Sequence, residues 1–207
     1  MTGTTRKRTR RKEARPAEII AAAMSVFAEN GFAAAKLGDI AQRAGIVKGT
    51  LYLYFDTKEE LFRAVVQEAI IGSLQIIEST AVRFSGSMRE IVPILLKETA
   101  EHMESSSLPA LARLVISESQ AFPDIVKIWY DNVVVRVIGL FTVLISEAQA
   151  RGEVRPGDPV IHAFSILGPL ISGSLFCDVF GVSASYAPNL VALASQHAET
   201  VLEGLLV

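Results

Sequence analysis

The chain has 207 residues and a single cysteine, Cys177, which excludes an intramolecular disulfide and any metal site built from several cysteines. Half of the residues are hydrophobic and the mean hydropathy is +0.37, so the surplus must serve a large interface, an apolar pocket or a membrane span. Residues 1–56 carry ten basic against five acidic side chains, a net +5, and residues 57–207 carry ten against seventeen, a net −7. Only the basic front end is therefore suited to a polyanion.

The first fifteen residues are strongly basic. Positions 6–12 hold six lysines and arginines and almost nothing apolar, so the sequence predicts a flexible arm over residues 1–15 that is disordered in the free protein. Such an arm can follow DNA phosphates or enter a minor groove. It can equally be a solvated tail that aids solubility, and both interpretations stay open.

No apolar segment of signal-peptide type follows this arm. The apolar, uncharged run at residues 163–177 is shorter than the roughly 20 residues of a membrane-spanning helix. The sequence therefore predicts a cytoplasmic protein with no membrane partner.

Residues 16–60 form the predicted DNA-binding unit. A first helix is expected from Pro16 to the Asn30-Gly31 pair. In LGDIAQRAGIVKGTLYLYFD, residues 37–56, apolar residues recur at helical spacing, Gly45 ends the first pattern, and a second helix follows from about Lys48. Two short helices joined by a tight turn are the layout of a helix-turn-helix, whose second helix enters the DNA major groove. An ordinary helical hairpin in a globular core is the alternative.

The stretch KGTLYLYF, which follows AGIV and precedes DTKEELF, closely resembles the DNA-binding domain of the TetR family of transcriptional regulators, and the likeness spans residues 16–62. The resemblance implies DNA contacts from six residues: Lys48, Gly49, Thr50, Tyr52, Tyr54 and Lys58. On a helical wheel Leu53 points away from the apolar pair of Leu51 and Phe55, so it can touch a thymine methyl.

Two positions depart from the usual pattern of that family. A serine or threonine commonly caps each helix of the motif, but this chain has Ala35-Lys36 before the first helix and Val47 before the second. Losing a cap costs about 1 kcal/mol per helix, and the hydroxyls that often bond phosphate are missing as well.

Residues 61–207 are predicted to form a larger helical domain that binds a ligand and makes the dimer. Its expected helices run from Thr57 to about 80, from about 88 to 105 behind a Ser87/Glu90 capping box, and over about 109–121, 123–151, 159–180 and 188–206. The fold class is therefore all-α with about nine helices, an N-terminal three-helix domain and a larger body. The helix that begins at Thr57 belongs to both parts and can link them.

The predicted effector pocket is drawn from side chains that can add contacts inside an apolar cavity, although each is more often plain core. The candidates are His102, Met103, Phe122, Trp129 and Phe164. In the helix over 159–180, small residues permit close helix approach, namely Gly168, Ser172 and Gly173. The resemblance implies a homodimer through this helix and the last one, although a buried intramolecular helix is the alternative.

The predicted function is a ligand-responsive repressor that binds an inverted-repeat operator in double-stranded DNA as a homodimer and is released by a small apolar effector. We predict no cofactor, metal or catalytic residue, because the sequence has no GxSxG, glycine-rich phosphate loop or HExxH. Glu98, Glu101 and Glu104 flank His102 at helical spacing, but an exposed charged face explains them more simply than a metal site. An all-α small-molecule-binding protein or enzyme without a DNA-binding role is the alternative.

Overall fold

The computed structural model describes residues 4–69 and 86–207, with the backbone alone over residues 4–14. Helices occupy most of these residues: α1 Thr4–Ala34, α2 Leu37–Arg43, α3 Lys48–Leu51, α4 over residues 58–69, α5 Met88–Ser105, α6 Leu108–Ser117, α7 Pro123–Trp129, α8 Val135–Ala150, α9 Pro159–Phe180 and α10 Leu190–Leu205. A π-helical stretch, Tyr130–Val134, makes α7 and α8 continuous. Over the described ranges the fold is all-α with nine helical segments, as the sequence predicts.

The helix boundaries follow the local signals. The break in α1 occurs at Gly31, whose φ is 74° and ψ is 167°. Thr57 caps α4, because its hydroxyl accepts a hydrogen bond from the backbone nitrogen of Glu60 at 3.0 Å. The backbone nitrogen of Ser87 donates to the Glu90 carboxylate at 2.9 Å, which completes the predicted capping box of α5 and lowers the pKa of Glu90. The predicted far end of α4, near residue 80, lies outside the described residues.

The first helix begins earlier than expected. Residues 4–14 continue α1 toward the N-terminus, and Pro16 lies inside the helix rather than at its start. The structure thus has the backbone from Thr4 onward in α1, and the flexibility of this arm in the free protein stays a prediction. Arginine, lysine, glutamate and alanine are good helix formers, and they make up most of this segment.

The buried side chains form two cores. The first core combines α1–α4 with α6 and α7, and its largest fully buried members include Phe27, Ile40, Leu51, Phe62 and Leu111. The second core lies among α5, α8, α9 and α10 and includes Leu95, Phe141, Ile166 and Leu202. Two helices of the predicted body thus pack into the core of the helix-turn-helix unit.

Three helices are long and apolar enough to cross a membrane, judged by length and composition alone. They are Arg15–Ala34, the continuous α7–α8 segment Pro123–Ala150, and α9, Pro159–Phe180. The expectation drawn from the uncharged run at residues 163–177 is therefore wrong for α9, because this helix extends past both ends of that run and includes Asp178.

Candidate nucleic-acid interface and ligand cleft

A tight turn fixes α2 against α3. Gly45 has a φ of 65° and its nitrogen donates to the carbonyl of Gln42, while the nitrogen of Ile46 donates to Ala41 at 2.9 Å. This pair of bonds is the Schellman motif, which satisfies the last carbonyls of α2 and needs a residue that tolerates positive φ. The predicted role of Gly45 as the stop of the first helix is confirmed.

A bidentate ion pair holds α2 against α1. The two terminal nitrogens of Arg43 lie 2.5 and 2.7 Å from the carboxylate oxygens of Glu29, and the guanidinium lowers the pKa of that carboxyl group. A two-point contact fixes orientation as well as distance. The helix-turn-helix is thus braced against α1 by a pair whose partners are fourteen residues apart in the sequence and have no local sequence signal.

The recognition segment is shorter than expected. The α-helix ends at Leu51, and residues 52–54 continue as a turn in which Leu53 and Tyr54 donate to carbonyls three residues earlier. Leu51 and Phe55 are buried, while Leu53 is 80% exposed and Tyr52 is 43% exposed. The orientation read from the helical wheel therefore holds, although the helical segment itself has one turn.

The outer face of this segment carries the predicted DNA-binding residues. Lys48 and Gly49 are exposed, and a Cβ atom built on Gly49 would meet nothing within 4 Å. The Lys48 ammonium lies 5.8 Å from the ring centre of Tyr52. Thr50 and Tyr54 are half-buried, and Tyr54 packs against the first core.

Both helices of the motif lack a side-chain cap. Lys36 precedes α2 and Val47 precedes α3, and neither side chain accepts a hydrogen bond from the helix start. The free nitrogens at the start of α3 are therefore available to an anion, since a helix N-terminus favours negative charge.

Lys58 is engaged inside the protein. Its ammonium donates hydrogen bonds to the carbonyls of Phe32, Ala33 and Ala35 at 2.8, 3.2 and 3.2 Å, and it lies 4.4 Å from the ring centre of Phe32. These carbonyls end α1, where a cation is favourable. A phosphate contact by Lys58 remains a prediction, and it would have to compete with these three bonds.

Lys58→Met is expected to lower the free energy of unfolding by about 1–3 kcal/mol, because three carbonyls, two of them in partly buried hydrogen bonds, would lose a charged donor. Urea unfolding followed by circular dichroism measures the change. The matched control is Lys48→Met, an exposed lysine of the same unit, which should stay within about 0.5 kcal/mol of the wild type. Equal losses in both variants would show that the three hydrogen bonds of Lys58 contribute no more to stability than an exposed lysine does.

A cleft of about 490 Å³ opens between the end of α5, the start of α6, the end of α9 and the loop before α10. Its walls include Met103, Glu104, Cys177, Asp178, Pro188 and Leu190. Glu104 accepts a hydrogen bond from the backbone nitrogen of Leu190 at 3.0 Å, at the positive start of α10. Burial, with the nearby Glu104 charge, raises the pKa of the Cys177 thiol, which donates to the Pro188 carbonyl.

The five predicted pocket residues do not converge. Met103 lines the cleft, whereas Phe122 and Trp129 pack against the first core. Phe164 is 56% exposed on α9. The His102 Nε2 atom is buried without a hydrogen-bond partner in the part of the chain that the structure describes. Sequence reasoning missed Glu104, Cys177 and Asp178 as cleft residues, because their neighbours come from distant helices.

The three predicted interface residues of α9 have different surroundings. Gly173 is buried, and a Cβ there would lie 2.8 Å from a Leu193 methyl of α10 in the same chain. Its small size therefore serves packing within the chain. Ser172 is exposed and Gly168 half-exposed, so these two remain on the outer face.

No group of three histidine, cysteine or acidic side chains converges as a metal site within residues 4–69 and 86–207. The Glu104 carboxylate accepts a hydrogen bond at the start of α10, and Glu101 pairs with Lys97 at 3.8 Å.

Two family models match the chain. Residues 19–65 match the DNA-binding domain of the bacterial regulatory proteins of the tetR family, and residues 93–198 match the C-terminal domain of the AefR-like transcriptional repressors. The second match covers half of the chain, and the first coincides with α1–α4. Proteins of this family are normally not enzymes.

Individual relatives cover most of the chain at low identity. The fatty acid metabolism regulator protein of Bacillus subtilis is 23% identical over 94% of this chain and 98% of its own length. A solved TetR-family regulator from Mesorhizobium loti is 26% identical, with a TM-score of 0.77 over 95% of this chain and 99% of that one. FadR of Bacillus subtilis, solved with stearoyl-CoA, is 22% identical, with a TM-score of 0.71 over 90% of this chain and 97% of that one.

Several other curated relatives match over a third to a half of their own length. Those shorter matches and the two family models agree with the fold and with the braced helix-turn-helix. The chain belongs to the TetR family of ligand-responsive, DNA-binding transcriptional regulators.

Proposed function

We propose that the protein acts in the cytoplasm as a homodimeric repressor that binds an inverted-repeat operator and is released by a small, largely apolar effector. One helix-turn-helix offers few contacts, so dimers that place two recognition helices on successive major grooves gain affinity and read two half-sites. Regulators of this family are in general soluble and cytoplasmic. The apolar helices then serve the two cores and the dimer rather than a membrane.

The observation that carries the proposal is the outer face of α3. Leu51 and Phe55 anchor the segment in the core, and the same geometry turns Lys48, Tyr52 and Leu53 outward. Lys48 is suited to a phosphate, the Tyr52 and Thr50 hydroxyls can bond phosphate oxygens, and Leu53 can contact a thymine methyl. Tyr54 fits the same role with its ring packed against the first core.

Gly49→Ala is expected to weaken operator binding while leaving the free protein folded. The free protein has open space where the Cβ would lie, and alanine is the better helix former, so the free energy of unfolding should rise by up to about 1 kcal/mol. If the backbone approaches DNA here, the added methyl would hold it away. Anisotropy titrations of a labelled operator and urea unfolding separate the two effects. Unchanged operator affinity would place Gly49 outside the interface.

The dimer is proposed to form through the outer face of α9. Ile161, Phe164 and Ile171 are exposed there beside Gly168 and Ser172, a hydrophobic stripe at helical spacing. The long side chains supply apolar area and the small residues let a second helix approach. The last helix would complete a four-helix bundle across the dimer axis.

Phe164→Asp is expected to raise the dimer dissociation constant by about 30-fold or more, because it places a charge on a central apolar anchor of the proposed interface. Sedimentation velocity over a concentration series measures the change. Val143→Asp on α8 is the control, since Val143 is as exposed as Phe164 but lies on another helix. A monomer in the control and a dimer in Phe164→Asp would place the interface elsewhere.

Release is proposed to follow from a change in the separation of the two recognition helices. An effector bound in the body would tilt α4, which begins at Thr57 in the DNA-binding unit. By linkage, the effector must weaken DNA binding by the factor by which DNA weakens effector binding. Support for an apolar effector comes from the hydrophobic composition and from relatives that include a regulator of fatty acid metabolism.

Selection from a random duplex pool by the purified protein, with a salt series on the enriched sequence, tests the proposed function. We expect an inverted repeat whose affinity falls steeply with salt. A protein that binds small molecules or acts as an enzyme without a DNA role would enrich nothing, even at low salt. That outcome would favour the alternative function over repression.

A further inference from the structure

One arginine of α6 joins the ligand cleft to the DNA-binding unit. The Nε atom of Arg113 donates to the Asp178 carboxylate on α9 at 2.5 Å, and its Nη2 atom donates to the Ala28 carbonyl on α1 at 3.1 Å. Asp178 lies 65 residues and Ala28 lies 85 residues away in the sequence. A single side chain therefore connects three helices.

The contact with α1 has a structural reason. Ala28 lies just before the break at Gly31, where the helical backbone of α1 is interrupted. Carbonyls at the end of a helix lack partners within the helix and carry partial negative charge. The guanidinium of Arg113 satisfies one of them and also complements the helix dipole.

The other end of this bridge lies in a wall of the cleft. Asp178 lines the cleft, and its side chain is 17% exposed. Glu104 lines the same cleft, and no lysine or arginine is among the residues that line it. A ligand in the cleft therefore meets carboxylates, and a cationic group there would compete with Arg113 for Asp178. A negatively charged group would be repelled and would not reach Arg113 from the cleft.

We infer that the cleft beside Asp178 is where the effector acts, that this effector carries a cationic group on an apolar body, and that Arg113 is the positioning residue that transmits its binding to α1. A cation at Asp178 weakens the hold of that carboxylate on Arg113, and Arg113 then no longer fixes α1 against α9. The helix-turn-helix loses its fixed position on the body, and operator affinity falls. The inference rests on the proposed repressor function and specifies the ligand class and the coupling residue for it.

The coupling is tested by a double-mutant cycle on operator affinity. Arg113→Met and Asp178→Asn should each weaken binding of the selected operator at least fivefold, in the range of typical coupling between sites. The double variant should be no weaker than the weaker single variant, since both changes break one bridge. Arg113→Lys should also weaken binding, because a single ammonium cannot hold both partners in the fork geometry of arginine.

The matched control is the Lys127–Asp131 pair, whose partners are four residues apart in one continuous helix. Lys127→Met and Asp131→Asn should leave operator affinity unchanged. Circular dichroism and thermal unfolding must show that the Arg113 and Asp178 variants are folded. Folded variants that bind the operator like the wild type, or whose losses simply add, would overturn the inference.

The ligand class is tested with two probes of equal chain length and opposite charge, octylammonium and octanoate. Octylammonium should release the operator from the wild-type protein at concentrations where octanoate has no effect. Asp178→Asn should remove this response. Equal responses to both probes, no response to octylammonium, or the same response in Asp178→Asn would each overturn the assignment. A wild-type protein that enriches no duplex would instead refute the proposed function, and the inference with it.

Discussion

Phe62→Ala is expected to lower the free energy of unfolding by about 3–5 kcal/mol, the usual loss for a large aromatic side chain removed from a core. Phe62 on α4 is fully buried, and its ring centre lies 5.4 Å from that of Phe27 and 4.9 Å from that of Phe32 on α1. It also lies 6.1 Å from Phe122, which caps α7. The cavity would therefore open at the point where the DNA-binding unit meets the body.

Urea unfolding measured by circular dichroism and by Trp129 fluorescence tests this expectation, since Trp129 packs against the same core. Operator affinity should fall as well, because α7 loses a contact to the helices that carry the recognition segment. Tyr186→Ala is the control, an aromatic residue that is 90% exposed. A small loss in Phe62→Ala would show that the neighbouring rings collapse into the space.

Lys48→Ala is expected to weaken operator binding and to reduce its salt dependence. Each phosphate contact contributes about 0.9 to the slope of log affinity against log salt, so a dimer with two copies of Lys48 should lose about two from that slope. The loss should be similar on specific and unspecific duplexes, because a phosphate contact carries no sequence information. Anisotropy titrations at several salt concentrations give the slope.

Lys97→Ala is the matched control for Lys48, because Lys97 is an exposed lysine of α5 that pairs with Glu101. Its operator affinity and slope should equal those of the wild type. The dimer must persist in both variants. An unchanged slope in Lys48→Ala would remove this lysine from the phosphate contacts, and dissociation of the dimer would show that it has a structural role.

The shared first core changes how the two parts of the chain can communicate. The predicted boundary at residues 60 and 61 falls inside α4, and buried residues of α6 and α7, such as Leu111 and Ile125, continue the core of the helix-turn-helix. The Arg63–Asp124 ion pair joins α4 to α7 at the same seam. A movement of α6 or α7 therefore changes the packing of the DNA-binding unit directly, in addition to any tilt of α4.

Local signals in the sequence predicted the elements and the turn well. The Schellman turn at Gly45, the cap at Thr57 and the capping box at Ser87 all depend on residues that lie within five positions of each other. The burial of Leu51 and Phe55 and the exposure of Leu53 follow from side-chain spacing alone. Interactions of this range involve only residues that are close in the sequence, so their signals can be read from the sequence directly.

The structure adds most where a residue has a distant partner or where helix propensity opposes composition. The basic segment before Pro16 was predicted to be a flexible arm, and its helix-forming residues continue α1 in the structure. Lys58 was predicted to reach a phosphate, and this contact stays a prediction, but only the tertiary structure shows that its ammonium donates to carbonyls 23–26 residues away. Phe122 and Trp129 were candidates for a pocket although each was more often plain core, and both pack against the first core.

The sequence by itself determined the all-α class, most of the helix boundaries, the helix-turn-helix and the face of α3 that turns outward, because these depend on spacing and capping over a few residues. Only the tertiary structure decided that α6 and α7 share the first core, that Asp178 and Glu104 line one cleft, and that Arg113 joins this cleft to α1. These features depend on which helices pack together, and that choice is made by the whole set of apolar faces rather than by any single segment.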